Sequence, residues 1–310
     1  MQPRTTVIVN PNSQGGKLGK RWRDHAETIA RSFPFDEAIT ERSGHATELT
    51  RAALKAGAER IVAIGGDGTV NEVVNGFFEQ GRPIAPDASF ALIPYGTGGD
   101  FRRTLELPMD FADAVAVIAA NQRKKIDVGR LDYKPTGGGR ATRMFANIAS
   151  FGVSGVVDRL VNESGKKLGR ISFMFATAKA TWRYTNQRVQ LTFDGTDRVE
   201  ATINTVAVAN GKFFGGAMKV APDAELDDGM FDVVCMGDLT FGDLLTSGRK
   251  IYSGAHLSMA KVTARRAKVV EAEAIDPNAV VELDVDGEAP GMLPARFEII
   301  PSALWVVAPG

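Results

Sequence analysis

Cysteine is nearly missing from this chain: Cys235 stands alone among 310 residues. One thiol excludes an internal disulfide framework and fits a reducing compartment. Histidine is almost as scarce. His25, His45 and His256 lie far apart, and none has a Cys or His partner at ligand spacing, so no zinc site is expected. Net charge is absent too, since 37 Lys+Arg balance 37 Asp+Glu. No global field holds polyanions, which argues against a general nucleic-acid binder. No apolar run approaches the roughly 18 residues that span a bilayer. The apolar piece of the opening MQPRTTVIVNPNS is too short for a signal-peptide core. These absences lead us to expect a cytoplasmic protein.

What is present in excess is glycine, 33 residues, gathered in clusters rather than spread. The first 126 residues alternate β-branched runs with helical patterns. Strands are expected at Thr5–Asn10, Phe35–Thr40, Arg60–Ile64 and Ser89–Pro94, with helices near Leu18–Arg31, His45–Ala56, Thr69–Phe78 and Asp110–Asn121. Such alternation predicts a Rossmann-like parallel sheet covered on both faces, with ligands at the carboxyl ends of its strands. Beyond residue 126 the period changes to two. Ile126–Tyr133, Arg143–Ala149, Gln187–Phe193, Arg198–Asn210, Met230–Met236, Lys261–Glu273 and Val280–Val285 read as strands, interrupted by a helical stretch within Gly152–Tyr184. The expectation is an N-terminal α/β domain (1–126) and a mainly antiparallel β-sandwich domain (127–296), with about 297–310 returning to the first.

The sharpest local feature is Gly65-Gly66-Asp67-Gly68-Thr69-Val70-Asn71-Glu72, which follows one expected strand and opens the next helix. Glycines let the backbone approach a ligand closely, and helix N-terminal amides favour an anion. This geometry suits a phosphate chain. Asp67 would repel phosphate unless a Mg²⁺ bridged them. A tight turn with Thr69 as helix cap is the plain structural alternative. The octet is neither a Walker A loop nor a dinucleotide fingerprint, because Asn71 stands where GxGxxG needs glycine. Two further turns, Asn10–Lys17 and Pro94–Asp100, also follow strands, so three glycine loops converge on one crevice in this reading.

GGDGTVNE, with an NPNS turn upstream and a P-x-G-T turn downstream, resembles the diacylglycerol kinase catalytic domain family of bacterial lipid kinases. Asn210-Gly211, Phe214-Gly215-Gly216, Ala221-Pro222, Asp227-Asp228-Gly229 and Asp286-Gly287-Glu288 are similar to that family's later motifs. The resemblance implies an ATP-dependent lipid kinase with its active site between the two domains. It implies nucleotide contacts from Asn10, Thr40, Gly65, Gly66, Asp67, Gly68, Thr69, Asn71, Glu72 and Thr97. It implies a structural Mg²⁺ held by the Asp228 carboxylate and backbone carbonyls near Glu225 and Met230. The general base would be Glu288 or Asp286, and Asp67 would help hold the catalytic metal. The plain alternatives at both acidic motifs are Asp-Gly turns.

Gly99 departs from the family's usual G-T-x-N-D, where an Asn side chain stands. Seven basic residues (Arg159, Lys166, Lys167, Arg170, Lys179, Arg183, Arg188) surround the apolar stretch 171–182, with Glu163 the one acid, and Arg249–Lys268 carries six basic residues and no acid. Such stretches suit an anionic membrane surface or a solvated helix face. The implied partner is a lipid met at the inner face of a membrane, with oligomeric state open, a homodimer included. Two other readings stay open: a soluble-substrate kinase of the NAD kinase type, and a non-catalytic nucleotide- or lipid-binding regulator.

Overall fold

The computed structural model of the chain describes residues 2–96, 98–163 and 184–309. It divides into two compact units, Met1–Val128 with Pro301–Gly310, and Gly129–Ile300.

The first unit is a parallel sheet. Strands β1 (Thr5–Val9), β2 (Asp36–Ile39) and β3 (Arg60–Gly65) pair with β1 in the middle. A short ribbon, β4 (Phe78–Glu79) and β5 (Arg82–Pro83), precedes β6 (Ser89–Pro94), which pairs with β3. Helices α1 (Ser13–Ala30), α2 (His45–Lys55), α3 (Asp67–Gly76), α4 (Asp100–Thr104) and α5 (Phe111–Ala120) connect them. Val7, Val9, Val62, Ile64, Ala91 and Ile93 form one core with Leu18, Trp22 and Ile29 of α1 and Val115 and Ile118 of α5. The intervening Ile8, Ile61, Ala63, Phe90 and Leu92 are equally buried. Burial at both parities is what a parallel sheet with helices on both faces requires.

Local chemistry sets the helix ends. The Asp110 carboxylate caps α5 by accepting from the amides of Ala112 (2.8 Å) and Asp113 (3.2 Å), and Asn121 closes it in the left-handed region. In α1, Gln14, Gly15 and Gly16 all take left-handed angles, so regular helix begins only after them. Helix α3 starts at Asp67 with Gly66 as its cap, two residues before the Thr69 start expected.

The second unit is a sandwich. One sheet contains β10 (Gln187–Phe193), β11 (Asp197–Ile203), β15 (Val269–Ala274) and the first part of β17 (Gly291–Val307), with β7 (Arg123–Pro135) and β8 (Ala141–Phe145) attached. The other runs β14 (Val262–Ala267), β13 (Phe231–Met236), β12 (Thr205–Ala209), β9 (Ile148–Gly152), β16 (Leu283–Val285). Helix α6 (Val153–Glu163) follows β9. The end of β17 belongs to the first unit, where Trp305–Val306 pair in parallel with Ser89–Phe90 of β6.

Three expected strands are corrected. Arg143–Ala149 is β8 and β9, Arg198–Asn210 is β11 and β12, and Lys261–Glu273 is β14 and β15. In each pair the two halves lie in different sheets. The chain turns a corner at Ala146–Asn147, at Asn204 and at Lys268, carrying the strand from one face of the core to the other. The inward parity slips at the last two: Ile203 gives way to Val206 and Val208, and Ala267 to Val270 and Ala272.

The shared core is aromatic. Phe145 stacks on Phe231 with centroids 5.6 Å apart and meets Phe297 edge-on at 6.5 Å. Gly129 of β7 pairs with Phe145, and a Cβ there would fall 2.1 Å from the ring. Substituting Gly129→Ala is therefore expected to destabilise the protein by about 1–3 kcal/mol through overpacking, read as a lower urea midpoint at unchanged slope.

Candidate active site

The carboxyl ends of β3 and β6 carry two glycine loops pressed together. Tyr95 N–H donates to the Gly65 carbonyl (2.9 Å). A Cβ on Gly96 would lie 2.6 Å from the Gly66 Cα, and one on Gly98 would lie 2.5 Å from Asp67 Oδ2. Here glycine is required by contact rather than by angle. Asp67 staples the loops: Oδ2 accepts from the Gly99 amide (3.0 Å) and Oδ1 from the Asp100 amide (3.2 Å). Its expected metal-holding role would call on the same two oxygens. The first loop joins the same place, because Asn10 Nδ2 donates to Thr69 Oγ1 at 3.0 Å. Thr40 is buried, and its amide donates to the Val9 carbonyl. Thr97 lies outside the described residues. Lys17 is exposed.

The end of the octet is committed elsewhere. Asn71 is fully buried and its Oδ1 accepts from Asn75 Nδ2 (3.2 Å). The Glu72 carboxylate accepts from the amides of Gly44 (2.8 Å) and Ala46 (3.1 Å), capping α2 from a neighbouring helix. A negative charge at a helix N-terminus is favourable, so this is a structural use of the side chain.

Two arginines beside this loop escaped the sequence reading. Arg103 Nη1 donates to the Gly98 carbonyl (2.5 Å) and pairs with Asp100 (3.1 Å). Burial and the neighbouring Arg103 lower the Arg102 pKa, while Asp100 and Asp67 oppose that. The signal available was their place, one turn into a helix that opens from the loop. Gly99 adopts a left-handed φ of 66°, and a Cβ there would meet nothing nearer than Arg102 Nε at 3.5 Å. The space would hold a side chain, so the departure removes a polar group without steric need. Asp127 was also missed: it is 1% exposed, and its Oδ1 accepts from the Ser302 amide (2.7 Å). His25 stacks on Phe111 (4.0 Å) and lies 3.4 Å from the Tyr95 hydroxyl; burial, then Arg21, lower its pKa.

In the second unit Asp286-Gly287 is a two-residue hairpin turn, with φ of 50° and 85° and Val285 and Glu288 exchanging both backbone bonds. The turn and the chemical motif are one object. Asp286 Oδ1 accepts from the Ile148 amide (2.9 Å) and Oδ2 from the Ala146 amide (3.3 Å), so the carboxylate clamps the β8–β9 corner. The same device recurs at Asp194-Gly195, whose φ values are 49° and 75°. Asp194 Oδ1 accepts from the amides of Lys268 and Val269, both at 2.9 Å, at the β14–β15 corner. Glu288 sits one residue past the turn and is half-buried.

The Asp228 region is an Asp-Gly turn as well: Asp228 Oδ1 accepts from the Met230 amide (2.9 Å), and Oδ2 pairs with Arg266. Burial raises the Asp232 pKa; Arg266 opposes this, and Asp228, Asp223 and Glu225 add to it. Among the described residues no three His, Cys, Asp or Glu side chains form a cage for a metal. A Mg²⁺ at Asp228 would have to share or displace the Arg266 guanidinium that faces the carboxylate here.

A stapled glycine crevice on a parallel sheet, and a sandwich that presents oriented carboxylates, suit phosphoryl transfer. Residues 4–131 match the model of the diacylglycerol kinase catalytic domain, and residues 147–308 that of the YegS C-terminal NAD kinase beta sandwich-like domain. A diacylglycerol kinase of Staphylococcus carnosus is 30% identical, covering 100% of this chain and 96% of that protein. One from Staphylococcus haemolyticus is 33% identical over 96% of this chain and 86% of its own. A solved diacylglycerol kinase structure from Bacillus anthracis aligns with a TM-score of 0.74 at 26% identity, covering 99% of this chain and 97% of that one. Yeast NADH kinase, at 11% identity and a TM-score of 0.55 over 100% of this chain and 85% of its own, shares the fold alone. The chain belongs to the diacylglycerol kinase catalytic domain family and is an ATP-dependent lipid kinase.

Two substitutions separate the halves of the octet. Glu72→Ala is expected to lower stability by about 1–2 kcal/mol through the lost cap while leaving the KM for ATP unchanged. Gly96→Ala forces the loops apart and is expected to weaken ATP binding at least ~10-fold, measured by titration calorimetry.

Proposed function

We propose that this kinase transfers the γ-phosphoryl group of ATP to the free hydroxyl of diacylglycerol or a closely related lipid alcohol. The observation that carries the reading is the pair of glycine loops stapled by Asp67 at the carboxyl ends of β3 and β6. The first-turn amides of α3 and the loop backbone receive the triphosphate, and Arg102 and Arg103 offset its charge. Asp228, with carbonyls at Glu225 and Met230, would hold the structural Mg²⁺, and Mg²⁺ bound with the nucleotide neutralises charge on its phosphates.

Asp286 takes the base role. Phosphoryl transfer asks for an ionised, well-placed acceptor of the hydroxyl proton rather than a strong base. Two backbone amides fix the direction of the Asp286 carboxylate. The longer Glu288 side chain assists by contacts around the acceptor. Of the six basic residues in Arg249–Lys268, Lys261, Arg265 and Arg266 already face Asp243, Asp197 and Asp228. Membrane contact by this stretch therefore falls to Arg249, Lys250 and Lys268 with Tyr252, which is 56% exposed. Arg159 and Arg188 are paired with Glu282 and Glu200, while Lys166, Lys167, Arg170, Lys179, Arg183 and the stretch 171–182 lie outside the described residues.

The substrate assignment is tested with labelled ATP, Mg²⁺ and mixed micelles of diacylglycerol, other lipid alcohols and a soluble NAD arm. Phosphorylated diacylglycerol is the expected main product; label on NAD alone would overturn the reading. The base assignment has an internal control. Asp194→Ala and Asp286→Asn each weaken a corner clamp, at an exposed and a part-buried corner, and are expected to cost about 1–3 kcal/mol of stability at most. Only Asp286→Asn is expected to lower kcat, by roughly 10²-fold or more. Equal kcat in the two variants would sink the base role, and Glu288→Gln tests the other carboxylate.

A further inference from the structure

Two residues before Asp286, on the same strand, stands a third carboxylate that the mechanism above does not use. Asp284 of β16 is 6% exposed, and its neighbour across the strand pair is Ser150 of β9. Asp284 Oδ1 accepts from the Gly287 amide at 2.9 Å, and Oδ2 accepts from the Ser150 hydroxyl at 3.0 Å. Ser150 Oγ also lies 2.9 Å from Ser154 Oγ, in the first turn of α6. A hydroxyl has one proton to donate, so the chain runs in one direction: Ser154 donates to Ser150, and Ser150 donates to Asp284. Its far end is the peptide that joins Asp286 to Gly287.

That peptide decides where the Asp286 carboxylate points. Asp286 sits at a φ of 50°, a sparsely occupied region that Asp enters more readily than most residues but that neighbouring bonds help to hold. The outside of the clamp, the amides of Ala146 and Ile148, fixes the carboxylate end of Asp286. Asp284 fixes the backbone end. We infer that Asp284, oriented by Ser150 and Ser154, is a positioning residue that holds the Asp286-Gly287 turn, and through it Asp286, in the geometry for phosphoryl transfer. This rests on Asp286 as the base.

The role requires an acceptor at Oδ1 and does not require charge. An asparagine supplies the same acceptor to Gly287, and its NH₂ group donates to Ser150 when that hydroxyl turns to donate toward Ser154. Kinetics with labelled ATP and dioctanoylglycerol micelles on the full-length protein separate the possibilities. Asp284→Ala is expected to lower kcat about tenfold, a loss of the size that small misplacement of a catalytic group produces, with the KM for ATP unchanged. Asp284→Asn is expected to restore most of the lost kcat. In an Asp286→Asn background, Asp284→Ala is expected to add little, because the group it positions is gone.

Unchanged kcat in Asp284→Ala overturns the inference, as does an asparagine variant no better than alanine, or a full tenfold loss on top of Asp286→Asn. Should Asp284→Ala not fold, Ser150→Ala removes the cross-strand donor instead and is expected to lower kcat severalfold, again with KM held; no change there also overturns it. The two readings fail separately. Full activity in Asp286→Asn removes the base assignment and this inference with it, whereas loss in Asp286→Asn beside an unaffected Asp284→Ala removes only the positioning role.

Discussion

An aspartate at a tight hairpin, accepting the amides of a chain that is turning a corner, is the interaction on which the second unit depends. A strand that leaves one sheet for the other must break its ladder, and the freed amides need new partners. Asp194 and Asp286 each settle two such amides with one carboxylate. The hairpin supplies the positive φ that aims the side chain at the corner, and the following glycine relieves the strain of the turn. Without the Asp286 clamp the part-buried corner at Ala146–Asn147 would leave donors unpaired, each costing about 1–3 kcal/mol, whereas the exposed Lys268 corner could turn to water.

The same economy recurs at the glycine crevice. Asp67 joins two loops by accepting from Gly99 and Asp100, and Glu72 anchors α2 through Gly44 and Ala46. Carboxylates that look like ligand groups in a motif are in both places fastening backbone to backbone. This does not compete with chemistry. A carboxylate held by amides is fixed in direction, which is the condition a phosphoryl-transfer site imposes on its acidic groups. Structure and reactivity draw on one set of hydrogen bonds.

Much of this was legible in the sequence because the signals were local. Arg60–Gly65 and Ser89–Pro94 announce buried parallel strands by their unbroken apolar runs, and the GGDG loop announces the crevice between strand and helix. What escaped was long-range. Nothing in Arg198–Asn210 marks Asn204 as a change of sheet except a one-residue slip in parity, which a period-two reading over thirteen residues averages away. Asp127 looked like any strand residue until its partner Ser302 arrived from 175 positions on. Glu72 read as a nucleotide contact because a motif is contiguous in sequence, while the helix it caps is not.

The path of β17 sets a condition on how the chain can acquire its structure. Its first part pairs with β15 in the sandwich, and its end, Trp305–Val306, lies against Ser89–Phe90 in the parallel sheet. The clamp that closes the β8–β9 corner likewise waits for Asp286, 140 residues after Ala146. Strands β1 to β6 lie within the first 94 positions, yet β6 finds its second neighbour in a strand more than 200 positions further on. Both units therefore need β17 in place before their sheets are complete, and loss of the Trp305–Val306 pairing would leave that edge of β6 open.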